Sequence, residues 1–217
     1  VSSARALKLI CKKWQRYNKI PDAVIVEGPL SGGHQGFKYE DCFKEEFQLE
    51  NIVPPVIEEA KNWGDIPVIA AGGIWDKKDI DRFLALGCAG VQMATRFIGT
   101  FECDADSKFK DVLLNAKKED IVLMGSPVGL PARGVKTNLQ FAIENKTAPK
   151  VQCISNCVAP CHRGHEAKIV GYCIADRLGA AYKGDVETGL FFSGSNGYRI
   201  DKIISVKELM EKLTKGE

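Results

Sequence analysis

The chain lacks several features that would decide its class at a glance. Its 217 residues hold no apolar run near the roughly 20 residues a membrane span requires, so no such span is expected. An excess of one charge is also missing. The formal net charge is +2 with no clustered basic face behind it, which argues against nucleic acid as a partner. The pairs Lys12-Lys13 and Lys117-Lys118 read instead as solvated helix surface. No low-complexity segment and no internal repeat beyond β/α units is present. With 45% hydrophobic and 27% charged residues, wholesale disorder is ruled out. The expectation is a cytoplasmic protein of one domain, or one domain plus an appendage.

What the chain does have begins at Glu27. The segment Glu27-Gly28-Pro29-Leu30-Ser31-Gly32-Gly33-His34-Gln35-Gly36-Phe37 follows the apolar run Ala23-Val24-Ile25-Val26, which reads as a buried strand. Glycines at a strand end let the backbone approach a flat or charged ligand. Histidine is the side chain whose unperturbed pKa suits proton transfer near neutrality. The pattern is that of a cofactor platform with an acid/base group on its rim. A glycine-rich turn whose histidine merely bonds to backbone would be written the same way.

Two further segments narrow this choice. Ile66-Pro67-Val68-Ile69-Ala70-Ala71-Gly72-Gly73-Ile74 is a second apolar strand ending in paired glycines. Gly90-Val91-Gln92-Met93-Ala94-Thr95-Arg96-Phe97 is a third, ending in Thr95 and Arg96. Helices are expected between them, from Val53 to Trp63 with Val56, Ile57 and Ala60 inward, and after the N-cap Asp76 with Ile80, Phe83 and Leu84 inward and Gly87 as stop. Continuous apolar strands alternating with helices predict parallel β/α units covered on both faces. Ligands in such folds sit at the carboxyl ends of strands, which makes Gly72, Gly73 and Thr95 the expected phosphate contacts.

These three ordered motifs resemble the nitronate monooxygenase (2-nitropropane dioxygenase) family of FMN-dependent β/α barrels, which includes the flavin-dependent enoyl-acyl-carrier-protein reductases. The likeness runs through residues 23–97 and continues more loosely through Thr100-Phe101-Glu102-Cys103 and Ser126-Pro127-Val128-Gly129-Leu130-Pro131-Ala132-Arg133. It implies the C-terminal part of a TIM-type (β/α)8 barrel, about the last three to four β/α units, over residues 1–105. A helical and loop extension over the barrel mouth is expected for 106–217. It implies FMN as cofactor, held by Gly32, Gly33, Ala71, Gly72, Gly73, Gln92, Met93, Ala94 and Thr95, with His34 as the catalytic acid/base.

Two departures from the family pattern stand out. Ser31 replaces an alanine, and Ala94 replaces the glycine that precedes the threonine. If position 94 needs a positive φ, alanine strains the phosphate loop; if it needs only closeness, the methyl is tolerated. The opening Val1-Ser2-Ser3-Ala4-Arg5-Ala6-Leu7 resembles a strand end entering a helix with Leu7, Ile10 and Trp14 inward. On this reading the N-terminal half of the barrel is a missing partner, and the isolated segment is expected to be inactive.

Eight cysteines invite a second reading, metal binding, beside that of reduced structural thiols, which suits the scattered Cys11, Cys42, Cys88 and Cys103. Cys153, Cys157 and Cys161 recur every four residues, with His162, His165 and Cys173 nearby, in a Cys-rich segment spanning 151–173. Four thiolate or imidazole ligands suffice for a closed zinc site, but the spacing is not the usual paired arrangement. Cys173 also falls on the helical stripe Ile169, Val170, Cys173, Ile174, Leu178 and Ala181, which would make it core. Further helices are expected from a Ser107 cap, with Phe109, Val112, Leu113 and Ala116 inward, and from the capping box Ser205 and Glu208. The loop Gly189–Arg199 reads either as a cover for the cofactor or as a surface turn.

Three functions follow. The first is oxidation of alkyl nitronates by dioxygen to carbonyl compounds and nitrite. The second is reduction of an enoyl thioester by a nicotinamide through FMN. The third is a non-catalytic, metal- or partner-binding module. Small-molecule substrate and dioxygen are the partners expected under the first.

Overall fold

A computed structural model describes residues 1–148 and 172–216. The chain divides into two compact units. The first comprises 1–31, 36–94 and 207–217, and the second 32–35 and 95–206.

The first unit opens with α1 (Ala4–Gln15), whose N-cap Ser3 accepts from the Ala6 amide. Strand β1 (Val24–Glu27) follows, then helix α2 (Leu49–Lys61), strand β3 (Val68–Ala71), helix α3 (Lys77–Ala85) and strand β4 (Gly90–Gln92). The three strands form a parallel sheet in the order β1-β3-β4, with Ile25 opposite Ile69 and Ala71 opposite Gln92. The expected α/β character with a parallel sheet is therefore present. Helix α2 packs on α1, β1 and β3, and α3 packs on β4. These helices bury Val24, Val26, Val68 and Ala70 on one face. The other face is more open, with Ile25 39% exposed, so coverage on both faces is not what this sheet shows.

Helix starts obey local chemistry, with two adjustments. Asp76 caps α3 by accepting from the Asp79 amide at 3.1 Å, and Gly87, at φ 99°, lies just past its end. Helix α2 begins four residues before the expected Val53 and carries Pro54 and Pro55 inside it. Each proline removes an amide from the helical ladder. Leu49, Ile52 and Val53 are buried, and that burial holds the extra turn in place. In α1 the buried pair is Leu7 and Cys11, one turn apart, whereas Trp14 is 48% exposed rather than inward.

The second unit contains β2 (Gly33–His34), α4 (Thr95–Ile98), α5 (Ser107–Asn115), β5 (Ile121–Met124), β6 (Ala132–Val135), α6 (Asn138–Glu144) and α7 (Ile174–Tyr182). A last helix, α8 (Val206–Lys215), begins at this unit's final residue and lies otherwise in the first unit. Asp106, not Ser107, caps α5, accepting from the Lys108 amide. The reading of 106–217 as helix and loop omits a real sheet. Strands β2, β6 and β5 form an antiparallel sheet in that order. The apolar run Ile121–Met124, a Pro- and Gly-containing loop and a second short run do carry a hairpin signal. Strand β2 is only two residues long and could not be read from periodicity. Leu139, Tyr172 and Leu190 form a core here, joined by Met124, Ile143, Ile174, Leu178 and Phe192. Cys173 is buried and stands at the N-cap of α7 rather than on its stripe.

Candidate active site

The glycine-rich segment serves both units. Gly28 belongs to the first, where its amide donates to the Ala71 carbonyl at 2.9 Å and ties the end of β1 to the end of β3. Gly72 and Gly73 leave β3 with φ of 97° and 80°, a left-handed conformation that favours glycine. A Cβ at Gly72 would stand 2.9 Å from the Gly28 carbonyl oxygen, and one at Gly73 would stand 2.9 Å from the Leu30 Cβ. The paired glycines are thus required by the fold of the strand end itself. Ligand approach is not needed to explain them.

Register aligns Ala71 with Gln92, so Gly72-Gly73 and Met93-Ala94 leave adjacent strands at the same end of the sheet. Gln92 and Ala94 are exposed and Met93 is half-buried. Ala94 is not among the non-glycine residues with positive φ, which among the described residues are Asn18, Asp65 and Lys146. The alanine is therefore accommodated without backbone strain. No carboxylate occurs in Ala71–Gly73 or Gln92–Ala94, and main-chain amides with little side-chain bulk form a donor set compatible with an anion. Glu27, opposite Ala71 in register, is half-buried, and burial raises its carboxyl pKa.

Gly32, Gly33, His34 and Thr95 belong to the second unit. Gly32 lies against the loop Gly189–Arg199: a Cβ there would come within 2.6 Å of the Gly194 nitrogen and 2.7 Å of the Ser193 carbonyl carbon. The Thr95 hydroxyl accepts from the Gly194 amide at 2.9 Å and keeps its own proton to donate. This loop is accordingly a packed structural element with Ser193 buried, not a free surface turn.

His34 stands on β2, opposite Ala132 of β6. Phe192 meets its ring edge-on at a centroid distance of 5.4 Å. Burial lowers the imidazole pKa below its ordinary 6.5, favouring the neutral ring that can accept a proton. Its Nε2 lies 2.7 Å from the Ser126 Oγ. Ser126 is buried at the start of the β5–β6 loop and accepts from the Val128 amide at 3.4 Å. Tyr172, also buried, donates to the Gly125 carbonyl at 2.8 Å. Its phenol is pushed up to about 12, chiefly by burial.

Reasoning from sequence found His34 but not the groups that hold it. Ser126 lies within a segment that resembles the family, yet nothing about a serine beside a proline marks a histidine partner 92 residues away. Phe192 is marked only as part of the loop Gly189–Arg199, with nothing to single out its ring. The metal candidates Cys153, Cys157 and Cys161 lie outside the described residues. Among the described residues no three His, Cys, Asp or Glu side chains come together to hold a metal, and Cys173 is a free buried thiol. No helix among the described residues is long and apolar enough to cross a membrane.

Comparison with known proteins gives consistent matches. The nitronate monooxygenase family model matches residues 1–216. A probable nitronate monooxygenase from Staphylococcus aureus (strain Newman) is 34% identical over 119 residues, covering 52% of this chain and 31% of that protein. The structure of FabK from Thermotoga maritima superposes with a TM-score of 0.72 at 30% identity, covering 99% of this chain and 58% of that one. Nitroalkane oxidase from Streptomyces ansochromogenes superposes with a TM-score of 0.67 at 26% identity, covering 99% of this chain and 55% of that one. In each pairing less than two thirds of the relative is covered. With its family model matched almost from end to end, the chain belongs to the nitronate monooxygenase family.

Proposed function

We propose that this chain carries the flavin-binding and proton-transfer residues of an oxidoreductase that converts alkyl nitronates and dioxygen to carbonyl compounds and nitrite. The observation that carries this reading is His34: a half-buried histidine with a lowered pKa, held at Nε2 by a buried serine, on a glycine-rich strand. Family membership and the likeness to a nitroalkane oxidase support the substrate class.

FMN, when bound, would supply the electron transfer between nitronate and dioxygen. The chain's own residues supply the rest. The amides of Gly72, Gly73 and Ala94, at neighbouring strand ends, are the proposed donors to its phosphate, followed in sequence by Thr95 with a hydroxyl proton to give. Gly32 and Gly33, with Ala71, Gln92 and Met93, are the proposed contacts to the remainder of the cofactor. His34 takes the α-proton when the substrate arrives as a neutral nitroalkane. With preformed nitronate that step is unnecessary. These strand ends belong to what we read as the later β/α units of a (β/α)8 barrel, where phosphate-binding loops commonly lie.

The second reading, nicotinamide-dependent reduction of an enoyl thioester, follows from the sequence resemblance to the flavin-dependent reductases. Oxygen uptake with an alkyl nitronate, measured beside nicotinamide-dependent reduction of a crotonyl thioester on the FMN-loaded protein, separates the two. Nitrite and carbonyl product in step with oxygen uptake are expected. Thioester reduction without nitronate-dependent uptake would overturn the proposal in favour of the second.

A further inference from the structure

We propose that Ser126 is a positioning residue for the proton-carrying state of His34: whichever nitrogen holds the hydrogen in the neutral ring, Ser126 Oγ is the acceptor that the protonated ring finds at Nε2. The inference deepens the proposed function and rests on His34 being its base.

A neutral imidazole has one N–H and one lone pair, so a serine hydroxyl 2.7 Å from Nε2 can stand on either side of that bond. Protonation removes the choice. Both nitrogens of the imidazolium carry hydrogen and neither keeps a lone pair, so Nε2 must donate and Ser126 Oγ must accept. The oxygen has the capacity. It offers two lone pairs, of which the Val128 amide, at 3.4 Å, takes one. The serine hydrogen can rotate away from the ring without moving a heavy atom.

The donor in this Nε2–H···Oγ bond carries charge, and such bonds contribute more than neutral ones. Ser126 therefore favours the protonated ring over the neutral ring. It acts against burial, which disfavours the charge and lowers the pKa of His34. Ser126 is 5% exposed, so water does not readily take its place. Among the described residues, strand β5, the loop 125–131 and the stretch 189–194, which carries Phe192, contain no titratable side chain. On β6, Ala132 stands opposite His34, whereas Arg133 stands opposite Gly33 on the alternate face of the pleat. Tyr172, bonded to the Gly125 carbonyl with its phenol pushed up to about 12, stays uncharged while the ring titrates. When a nitroalkane C–H bond breaks, its electron pair stays with the nitronate and an N–H bond forms on the ring. The contact at Nε2 then keeps the imidazolium where the neutral ring stood.

The test titrates the ring and needs neither cofactor nor turnover. Histidine ring shifts of the full chain are followed by NMR against pH, with His34→Asn identifying the His34 signals among the three histidines. Ser126→Ala should lower the His34 pKa by about one unit, or roughly tenfold in proton affinity, the margin between a charged and a neutral hydrogen bond. Ser126→Thr keeps the hydroxyl and should titrate with the wild type. The wild type alone supplies a second check should the alanine variant not fold. Below the pKa, the Nε2 proton of His34 should be visible and slow to exchange, as a bonded hydrogen is. An Nε2 proton lost to solvent as fast as that of free imidazolium overturns the proposal. So does a folded Ser126→Ala protein whose pKa is unchanged or raised, or a threonine variant that shifts as far as the alanine one. If the shift is as stated and nitronate is not oxidised, the proposed function fails and this inference stands. Oxidation of nitronate with an unmoved titration defeats this inference alone.

Discussion

The two sheets end in different chemistry. In the first unit, three parallel strands finish in backbone: Gly72, Gly73 and Ala94 offer amides and almost no side chain. In the second, a short antiparallel sheet carries a titratable ring whose partners, Ser126 and Phe192, come from two further segments. A parallel strand end with left-handed glycines suits a fixed anion, because amides do not change charge with pH. A side-chain site built across a hairpin suits a proton, because packing can tune one group and hold it in place. The motif Glu27–Phe37 takes a different part in each: Gly28 ties the strand end of the first unit through the Ala71 carbonyl, while His34 is itself the titratable group of the second.

Substitutions can break this contrast. The largest effect is expected from His34→Asn, which keeps a polar side chain but removes the base. Turnover of neutral nitroalkane should fall by about 10²–10⁴-fold, the usual contribution of a general acid or base, with FMN still bound. Preformed nitronate should be affected far less, and comparing the two substrates by oxygen uptake checks the point. Equal, unimpaired rates on both would remove His34 from the chemistry.

Packing at the glycines comes next. Gly73→Val combines a φ of 80° with a Cβ 2.9 Å from Leu30, and Gly32→Val drives a Cβ against the Gly194 and Ser193 backbone. Each is expected to destabilise by about 1–3 kcal/mol through overpacking, with added backbone strain at Gly73. Chemical denaturation measures the loss. Gly73→Val should also release flavin, whereas a variant that melts normally and retains flavin would show that the strand end is looser than its geometry indicates.

The pH response sharpens the same contrast. His34 has a folded pKa below 6.5, so at neutral pH it is neutral in both folded and unfolded chains and contributes no pH dependence there. As pH falls below the unfolded value the unfolded state binds the proton first, and stability declines until the folded pKa is passed. Activity on neutral nitroalkane should fall across that lower, folded pKa. His34→Asn should flatten both profiles in the window below pH 6.5, seen in melting temperature and in rate. The smallest effect is expected at position 94. Ala94 is exposed and outside the left-handed region, so Ala94→Gly should leave FMN affinity nearly unchanged and cost no more than about 1 kcal/mol of stability. A large gain in affinity would mean that the methyl does obstruct the loop.

Much of the first unit was legible beforehand. Apolar runs located β1, β3 and β4, Asp76 marked the start of α3, and Gly87 marked its end. These signals are local: a cap or a left-handed glycine answers to its own few residues. Burial assignments on helices were less secure. Trp14 lies outside because Leu7 and Cys11 already fill the face toward the core, which composition at helical spacing cannot rank. Helix α2 starts four residues before the expected Val53 because the burial of Leu49 and Ile52 extends it, which spacing alone does not reveal.

By itself, then, the sequence determined the parallel strands, their glycine ends and the presence of a histidine suited to proton transfer. These depend on contacts between near neighbours, on backbone sterics and on the intrinsic pKa of one side chain. Tertiary structure alone decided that Gly33-His34 would pair with Ala132-Arg133, that Ser126 would meet the ring and that Tyr172 would reach the Gly125 carbonyl. A two-residue strand has no periodicity of its own, and a serine or tyrosine hydroxyl finds its partner only when burial removes water as the alternative.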